Sequence, residues 1–280
     1  RVAGYIAQFL RQGLQQPGRG LGPAHIHRKI KVCICGVNIA MEPQKLVRHI
    51  TAIHLQQCTS ARLKHVKTLL LDVDGTLIDS YPGIITSFVH ALEQGGYPRP
   101  SEDFLRSVPG PPLEVTLNRL GLTPEDNRAT LRRYMEHYDT TGWAMSAPYP
   151  GIRDLLVSLK DQGFQLCTAT SKSQPITEKI LEHHKLAELF TFIGAATGPD
   201  GGRRSKRDVI AHVLDNVGLD EGSDILMIGD RIHDITGAAE FNIPTVAVTW
   251  GYGNAEEHQH AHRVADTPAE LERIIHDWAH

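Results

Sequence analysis

From Lys67 onward, short apolar runs alternate with stretches in which apolar positions recur every three or four residues. The runs are Thr68–Val73, Gln165–Thr170, Phe190–Ala195, Asp224–Gly229 and Thr245–Thr249. Each is rich in Leu, Ile, Val or Thr and too short for a helix, so each is predicted to be a strand. Between them, Ile152–Gln162, Gln174–His184, Lys206–Val217 and Ile235–Phe241 carry helical periodicity. This alternation predicts an α/β fold, a parallel doubly wound sheet with helices on both faces. Ligands of such sheets bind beyond the carboxyl ends of strands, so chemistry is expected just after each run. Residues 81–148 break the alternation. They show only helical patterning, punctuated by Gly95-Gly96, Pro109 to Pro112 and Pro148 to Gly151. They are predicted to form a small helical cap inserted after the first strand, with residues 67–80 and 149–280 as the core.

Composition changes this picture little: 280 residues, 41% hydrophobic and 22% charged, is ordinary globular usage. No apolar run approaches the ~20 residues of a membrane-spanning helix, so no membrane role is expected. Cys33, Cys35, Cys58 and Cys167 are too sparse for a disulfide framework and fit a reducing, cytoplasmic setting. Charge is more informative. The net charge of −3 conceals ten Lys/Arg against one acid, Glu42, in residues 1–66, and 19 basic against 31 acidic residues in the remainder. That step marks a boundary near Val66 and sets apart a basic amino-terminal extension.

The first predicted strand ends in Asp72-Val73-Asp74-Gly75-Thr76. Alternation along an extended chain places both carboxylates on one side, and Gly75 permits a sharp turn after them. Two neighbouring acids resist ionising together, a conflict that a divalent cation relieves. An ordinary Asp-Gly turn is the plainer reading of the same residues. The second strand runs into Thr170-Ser171-Lys172, which offers a hydroxyl and backbone donors. The fourth runs into Gly229-Asp230-Arg231-Ile232-His233-Asp234, two more acids beside a turn glycine. Lys206 opens a predicted helix after the polar loop from Gly198 to Ser205. Such a set suits a phosphate held by Mg²⁺, an ammonium and hydroxyl donors.

These residues resemble, in order, the four motifs of the haloacid dehalogenase superfamily. Asp72 to Thr76 is similar to the first, Thr170 to the second, Lys206 to the third and Gly229-Asp230-x3-Asp234 to the fourth. The resemblance covers residues 67–278, and the helical segment sits where that superfamily carries its cap. Tyr149-Pro150-Gly151, Gly110-Pro111-Pro112 and Trp250-Gly251-Tyr252-Gly253 resemble the phosphoglycolate phosphatase-like and 5′-nucleotidase-like branch. Gly229-Asp230-Arg231-x2-Asp234 followed by Gly237-Ala238 leans toward the nucleotidase-like members. The resemblance implies a Rossmann-like core and a Mg²⁺-dependent phosphatase acting on small phosphorylated metabolites. It also implies that Asp72 attacks phosphorus and that Asp74 serves as acid and base. Thr170, Ser171 and Lys206 would hold the phosphoryl group, and Asp72, Asp74 (through its carbonyl), Asp230 and Asp234 the metal. A sugar phosphomutase shares Asp74 and is the alternative within the superfamily. A dehalogenase has no use for Asp74 or the second acidic pair.

Further residues invite a role. Arg106, before the Gly110 turn, is a candidate substrate contact from the cap. Arg231 and His233 could touch substrate but read first as charged loop or helix-start residues, and Arg203 and Arg204 fit contact with a substrate phosphate or base as well as they fit a solvated loop. His258, His260 and His262 alternate as metal ligands can, although Glu256-Glu257 before them favours an exposed helix or loop. Cys167 reads as a small core residue. Within the basic extension, Cys33-Ile34-Cys35 with Leu46-x2-His49-x4-His54 resembles a C2H2 zinc finger, with a tighter Cys spacing than usual. A metal-free extension or a targeting segment fits as well. A nucleic-acid-binding protein that uses this segment on phosphates is therefore the second class of function.

Overall fold

The computed structural model describes residues 66–110, 113–197, 202–219 and 224–280, with the backbone of 30–34 and 37–41. The chain divides into two compact units, residues 1–64 and 65–280. In the first, the strands Ile30–Ile34 and Val37–Met41 pair antiparallel. The side chains of the finger-like Cys33, Cys35, His49 and His54 lie outside the described residues.

In the second unit the strands, in chain order, are β1 (Thr68–Leu71), β2 (Ile78–Asp79), β3 (Ala147–Pro148), β4 (Gln165–Ser173), β5 (Phe192–Ala196), β6 (Ile225–Gly229), β7 (Thr245–Val248) and β8 (Arg263–Ala265). Six of them form one parallel sheet in the order β8-β7-β6-β1-β4-β5. β1 lies inside it between β6 and β4, and Leu69, Leu70 and Leu71 are wholly buried. That burial on both faces is why β1 reads as an unbroken apolar run rather than an alternating one. The helices are α1 (Tyr81–Gln94), α2 (Glu102–Arg106), α3 (Leu113–Asn118), α4 (Pro124–Thr140), α5 (Ile152–Asp161), α6 (Gln174–His183), α7 (Lys206–Val217), α8 (Ile232–Ala239), α9 (Ala255–His258) and α10 (Pro268–Ala279). Leu69 and Leu71 share a core with Leu156 of α5, Ile180 of α6 and Ile275 of α10. Leu70 faces the other way, into a core with Val209 and Val213 of α7 and Ala238 of α8. The doubly wound architecture follows from these two apolar layers.

Several boundaries differ from the sequence reading. β1 stops at Leu71, because the chain turns over at Asp72–Asp74, where Leu77 and Ile78 N–H groups return to the Val73 carbonyl. β5 starts two residues late, since Ala187–Leu189 forms a short 3₁₀ turn ahead of it. α8 begins at Ile232 rather than Ile235, which brings Asp234 into its first turn, where it accepts the Arg231 N–H at 3.0 Å. β8 extends the sheet beyond the last predicted strand, and the helix α10 follows it. β8 is three residues long with only Ala265 buried, too little apolar pattern to announce a strand.

Residues between β2 and β3 leave and return through a two-stranded antiparallel stem, Ile78 opposite Pro148 and Asp79 opposite Ala147. This insertion holds α1 to α4, with α1 packed on α4. Thr123 caps α4 by accepting the Asp126 N–H, and Pro124 sits in its first turn, where no N–H is needed. Because both cores lie within residues 65–280, deleting residues 1–66 is expected to leave one cooperative melt with Tm within a few degrees of the full chain. Circular dichroism checks this; a truncate without a cooperative transition would move the boundary.

Candidate active site

Three strand ends and one helix start converge at the carboxyl edge of the sheet. β1 delivers Asp72, β4 Thr170, β6 Asp230 and α7 Lys206. Ser205 caps α7 reciprocally with Asp208, which fixes where Lys206 enters the helix. The Lys206 ammonium lies 2.8 Å from Asp72 Oδ1, 2.7 Å from Asp234 Oδ1 and 2.7 Å from the Ala169 carbonyl. The Asp72 oxygen and the Ala169 carbonyl accept hydrogen bonds from it, and Asp234 is held as an ion pair. Burial works to lower the Lys206 pKa, but the carboxylates of Asp234 and Asp72 outweigh it and hold the ammonium charged.

Asp72, Asp230 and Asp234 are buried, and each offers an oxygen within 4.8 Å of the others. Burial, and then repulsion from Asp234 and Asp72, raises the Asp230 carboxyl well above the usual carboxylate range. Burial and Asp72 likewise raise Asp234 to about 6, against the pull of Lys206. Three buried carboxylates with one ammonium among them leave uncompensated negative charge, which is costly in low dielectric. Hard oxygen donors in a compact cluster fit a small divalent cation such as Mg²⁺. Backbone packs tightly around Asp230. Gly75 turns with φ +79°, and a Cβ there, or at Gly251, would drive into the Asp230 carboxylate. The Tyr252 N–H donates to Asp230 Oδ2 at 2.6 Å.

Asp74 stands apart, 24% exposed at its side chain and held at both oxygens. The Ser80 hydroxyl donates to Oδ1 at 2.5 Å, and Lys172 Nζ lies 2.8 Å from Oδ2. The same ammonium donates to the hydroxyl of Tyr138 on α4 at 2.8 Å and sits over that ring, 4.5 Å from its centroid. Each of the paired acids of the first strand end thus has its own lysine, which meets the mutual repulsion expected from the sequence. Lys172 and Ser80 were not singled out by sequence reasoning. Lys172 stands two residues past Thr170, and strand alternation already points the two to one side.

A cavity of about 850 Å³ opens over these groups, lined by Asp72, Asp74, Thr170, Ser171, Lys206 and Asp234. Asp230 lies wholly buried and does not line it. Arg106 does not line it either. It is exposed and borders a separate concavity of about 360 Å³ with Arg119 and Arg231. Arg231 is bound to Glu257 through Nε and Nη2, at 2.9 and 3.1 Å, and to the Pro109 carbonyl. Arg203 turns to the Ala195 carbonyl at 2.6 Å, and Arg204 pairs with Glu114 at 3.2 Å. His233 lines the cavity. His258 is buried rather than exposed, because its Nε2 sits 2.8 Å from the Asp230 carbonyl. His262 accepts the Thr245 N–H. The two rings serve separate backbone partners, and among the described residues no metal cluster includes them. Cys167 is buried and free, its thiol pushed up to about 12 by burial.

Residues 69–248 match the family described as haloacid dehalogenase-like hydrolase. The chain is 42% identical over 189 residues to the tyrosine-protein kinase PtkA of Mycobacterium tuberculosis, covering 67% of this chain and 64% of that protein. It therefore spans less than two thirds of the length of this relative. It is 34% identical over 205 residues to a 5′-nucleotidase of Pseudomonas aeruginosa, covering 72% of this chain and 92% of that one. The solved structure of a predicted phosphatase from Clostridium acetobutylicum is similar at TM-score 0.70 and 33% identity, covering 76% of this chain and 99% of that one.

Proposed function

The chain belongs to the haloacid dehalogenase-like hydrolase family, and on that premise we propose that it hydrolyses small phosphate monoesters with Mg²⁺ through an aspartyl-phosphate on Asp72. The observation that carries this is the Asp72 carboxylate, facing the cavity with one oxygen bound by Lys206. Asp72 Oδ2 has no hydrogen-bond partner among the described residues and is the atom to attack. As the Oδ2–P bond forms, the ester P–O bond breaks, and its electron pair leaves on the departing oxygen, to which Asp74 supplies a proton. Asp74 then takes a proton from water as that water attacks phosphorus and releases phosphate from Asp72. Ser80 and Lys172 keep the Asp74 side chain in place through both halves. Thr170, Ser171 and Lys206 bind phosphoryl oxygens. Asp72, Asp230, Asp234 and the Asp74 carbonyl would hold Mg²⁺, which would supply charge neutralisation when bound. The insertion of residues 81–148 acts as the cap over the cavity. Phosphoglycolate-like esters and nucleoside 5′-monophosphates are the substrate classes to try first.

A second reading draws on the 42% identity to a tyrosine-protein kinase. An aspartyl-phosphate formed on Asp72 from the γ-phosphate of ATP, with ADP leaving, and then discharged to a phenol whose proton passes to Asp74, would transfer phosphate to tyrosine. One experiment weighs both. Esters incubated with the protein and Mg²⁺ should release inorganic phosphate with saturation kinetics. Parallel incubation with γ-labelled ATP and a tyrosine polymer should leave the polymer unlabelled. No release from any ester, or labelling faster than release, would reverse the preference.

A further inference from the structure

We propose that the cavity selects phosphate monoesters whose leaving group is uncharged and carries a flat ring, and that Tyr134 is the residue that selects them; this rests on the phosphatase reading above. The cavity holds about 850 Å³, far more room than a phosphoryl group and a two-carbon acid require. Its polar end is the catalytic edge of the sheet. Its other wall comes from the cap: Ile84, Val108, Leu113, Leu131, Tyr134 and Met135.

This wall holds no lysine, arginine or histidine among the described lining residues. Its one charged side chain, Glu114, is taken by Arg204 at 3.2 Å. The lysines and arginines reaching the cavity from the core are also paired, and His233 lines it beside them. Lys172 is bound to Asp74, Lys206 to Asp72 and Asp234, Arg207 to Glu240 at 2.7 Å, and Arg231 to Glu257. A second anion on the substrate, such as a carboxylate, would have to compete with Glu114 or Glu240 for Arg204 or Arg207, or rely on His233, because the wall from the insertion offers it no cation of its own. Arg106, the cap cation that would have answered it, borders the other concavity. A sugar's several hydroxyls would likewise meet a largely apolar wall.

Tyr134 is the feature that suits a ring. It lies parallel to Tyr138, with centroids 5.6 Å apart and planes 13° from each other. Tyr138 is buried and held by Lys172, so the Tyr134 ring that lines the cavity is backed by a fixed aromatic partner and lies close enough to Lys172 and Asp74 to feel both charges. The Tyr134 hydroxyl has no partner among the described residues. A flat leaving group gains stacking and apolar contact here with little ordering cost, since the wall is already held.

The test is kcat/KM with Mg²⁺ for benzyl phosphate, ethyl phosphate and phosphoglycolate, three alkyl esters with similarly poor leaving groups. The full chain is expected to favour benzyl phosphate over both others by on the order of tenfold or more. Tyr134→Ala should shrink that preference to within about threefold, mostly through KM. Leu131→Arg, which adds a cation to the wall, should raise phosphoglycolate relative to benzyl phosphate and reads the same ratio should Tyr134→Ala not fold. Benzyl phosphate against uridine 5′-monophosphate, both alkyl esters, tells whether a simple aromatic ring or a nucleoside fits better, and uridine 5′-monophosphate ranking above ethyl phosphate supports the proposal. Phosphoglycolate equal to or better than benzyl phosphate overturns it, as does an equal loss on all three esters in Tyr134→Ala. Ethyl phosphate cleaved with no ring preference sinks the selectivity alone. No cleavage of any ester sinks the phosphatase reading with it.

Discussion

Asp72→Asn is expected to abolish phosphate release, lowering kcat by roughly 10⁴-fold or more, as loss of a covalent nucleophile does elsewhere. The amide has nearly the same shape but is a far weaker nucleophile. Lys206 keeps Asp234 and the Ala169 carbonyl as acceptors when the Asp72 oxygen changes, so the fold has no reason to fail. Hydrolysis of p-nitrophenyl phosphate with Mg²⁺ measures the effect, and circular dichroism confirms that the variant is folded. Turnover near that of the unaltered protein would end the mechanism built on Asp72.

Chelation should be almost as damaging. With Asp72, Asp230 and Asp234 packed within 4.8 Å of one another and a single lysine among them, excess EDTA is expected to remove nearly all activity and Mg²⁺ to restore it. Ca²⁺ should restore little, because it takes more ligands at longer distances and would misplace Asp72. A readout that does not depend on turnover accompanies this. A cation that binds only the folded chain raises Tm as its concentration rises, and Asp230→Ala should erase most of that rise. Full activity in EDTA, or a Tm indifferent to Mg²⁺, would show that the carboxylate cluster holds no metal.

How much of the site was legible in the sequence depends on how local each signal is. Asp72, Thr170 and Asp230 stand directly after apolar runs, and in a parallel sheet such positions gather at one edge. Their convergence was therefore readable before any coordinates. Asp234 was read as an acid near a turn, but its place in the first turn of α8 was not, because helix starts are poorly marked three residues either way. Lys172 was visible only as a neighbour of Thr170. Arg106 borders the smaller concavity, and nothing in a short helix such as α2 says which of two concavities its far end reaches. His258 was misjudged for a related reason. Glu256 and Glu257 beside it suggest solvent, yet Glu257 is turned to Arg231 and the imidazole goes inward to the Asp230 carbonyl.

By itself, then, the sequence determined the α/β alternation, the helical insertion after β1, and the strand ends where acids, hydroxyl and lysine would meet. These rest on periodicity and turn residues, which act over a few positions of chain. Only the tertiary structure decided which ammonium serves which carboxylate, Lys206 for Asp72 and Asp234, and Lys172 for Asp74. It alone decided that the insertion's side of the cavity is mostly apolar, with Arg106 at the smaller concavity. Asp72 and Lys206 are 134 residues apart and meet at 2.8 Å. Contacts across such distances are set by how whole layers pack, and no window of sequence short enough to read by pattern contains both partners.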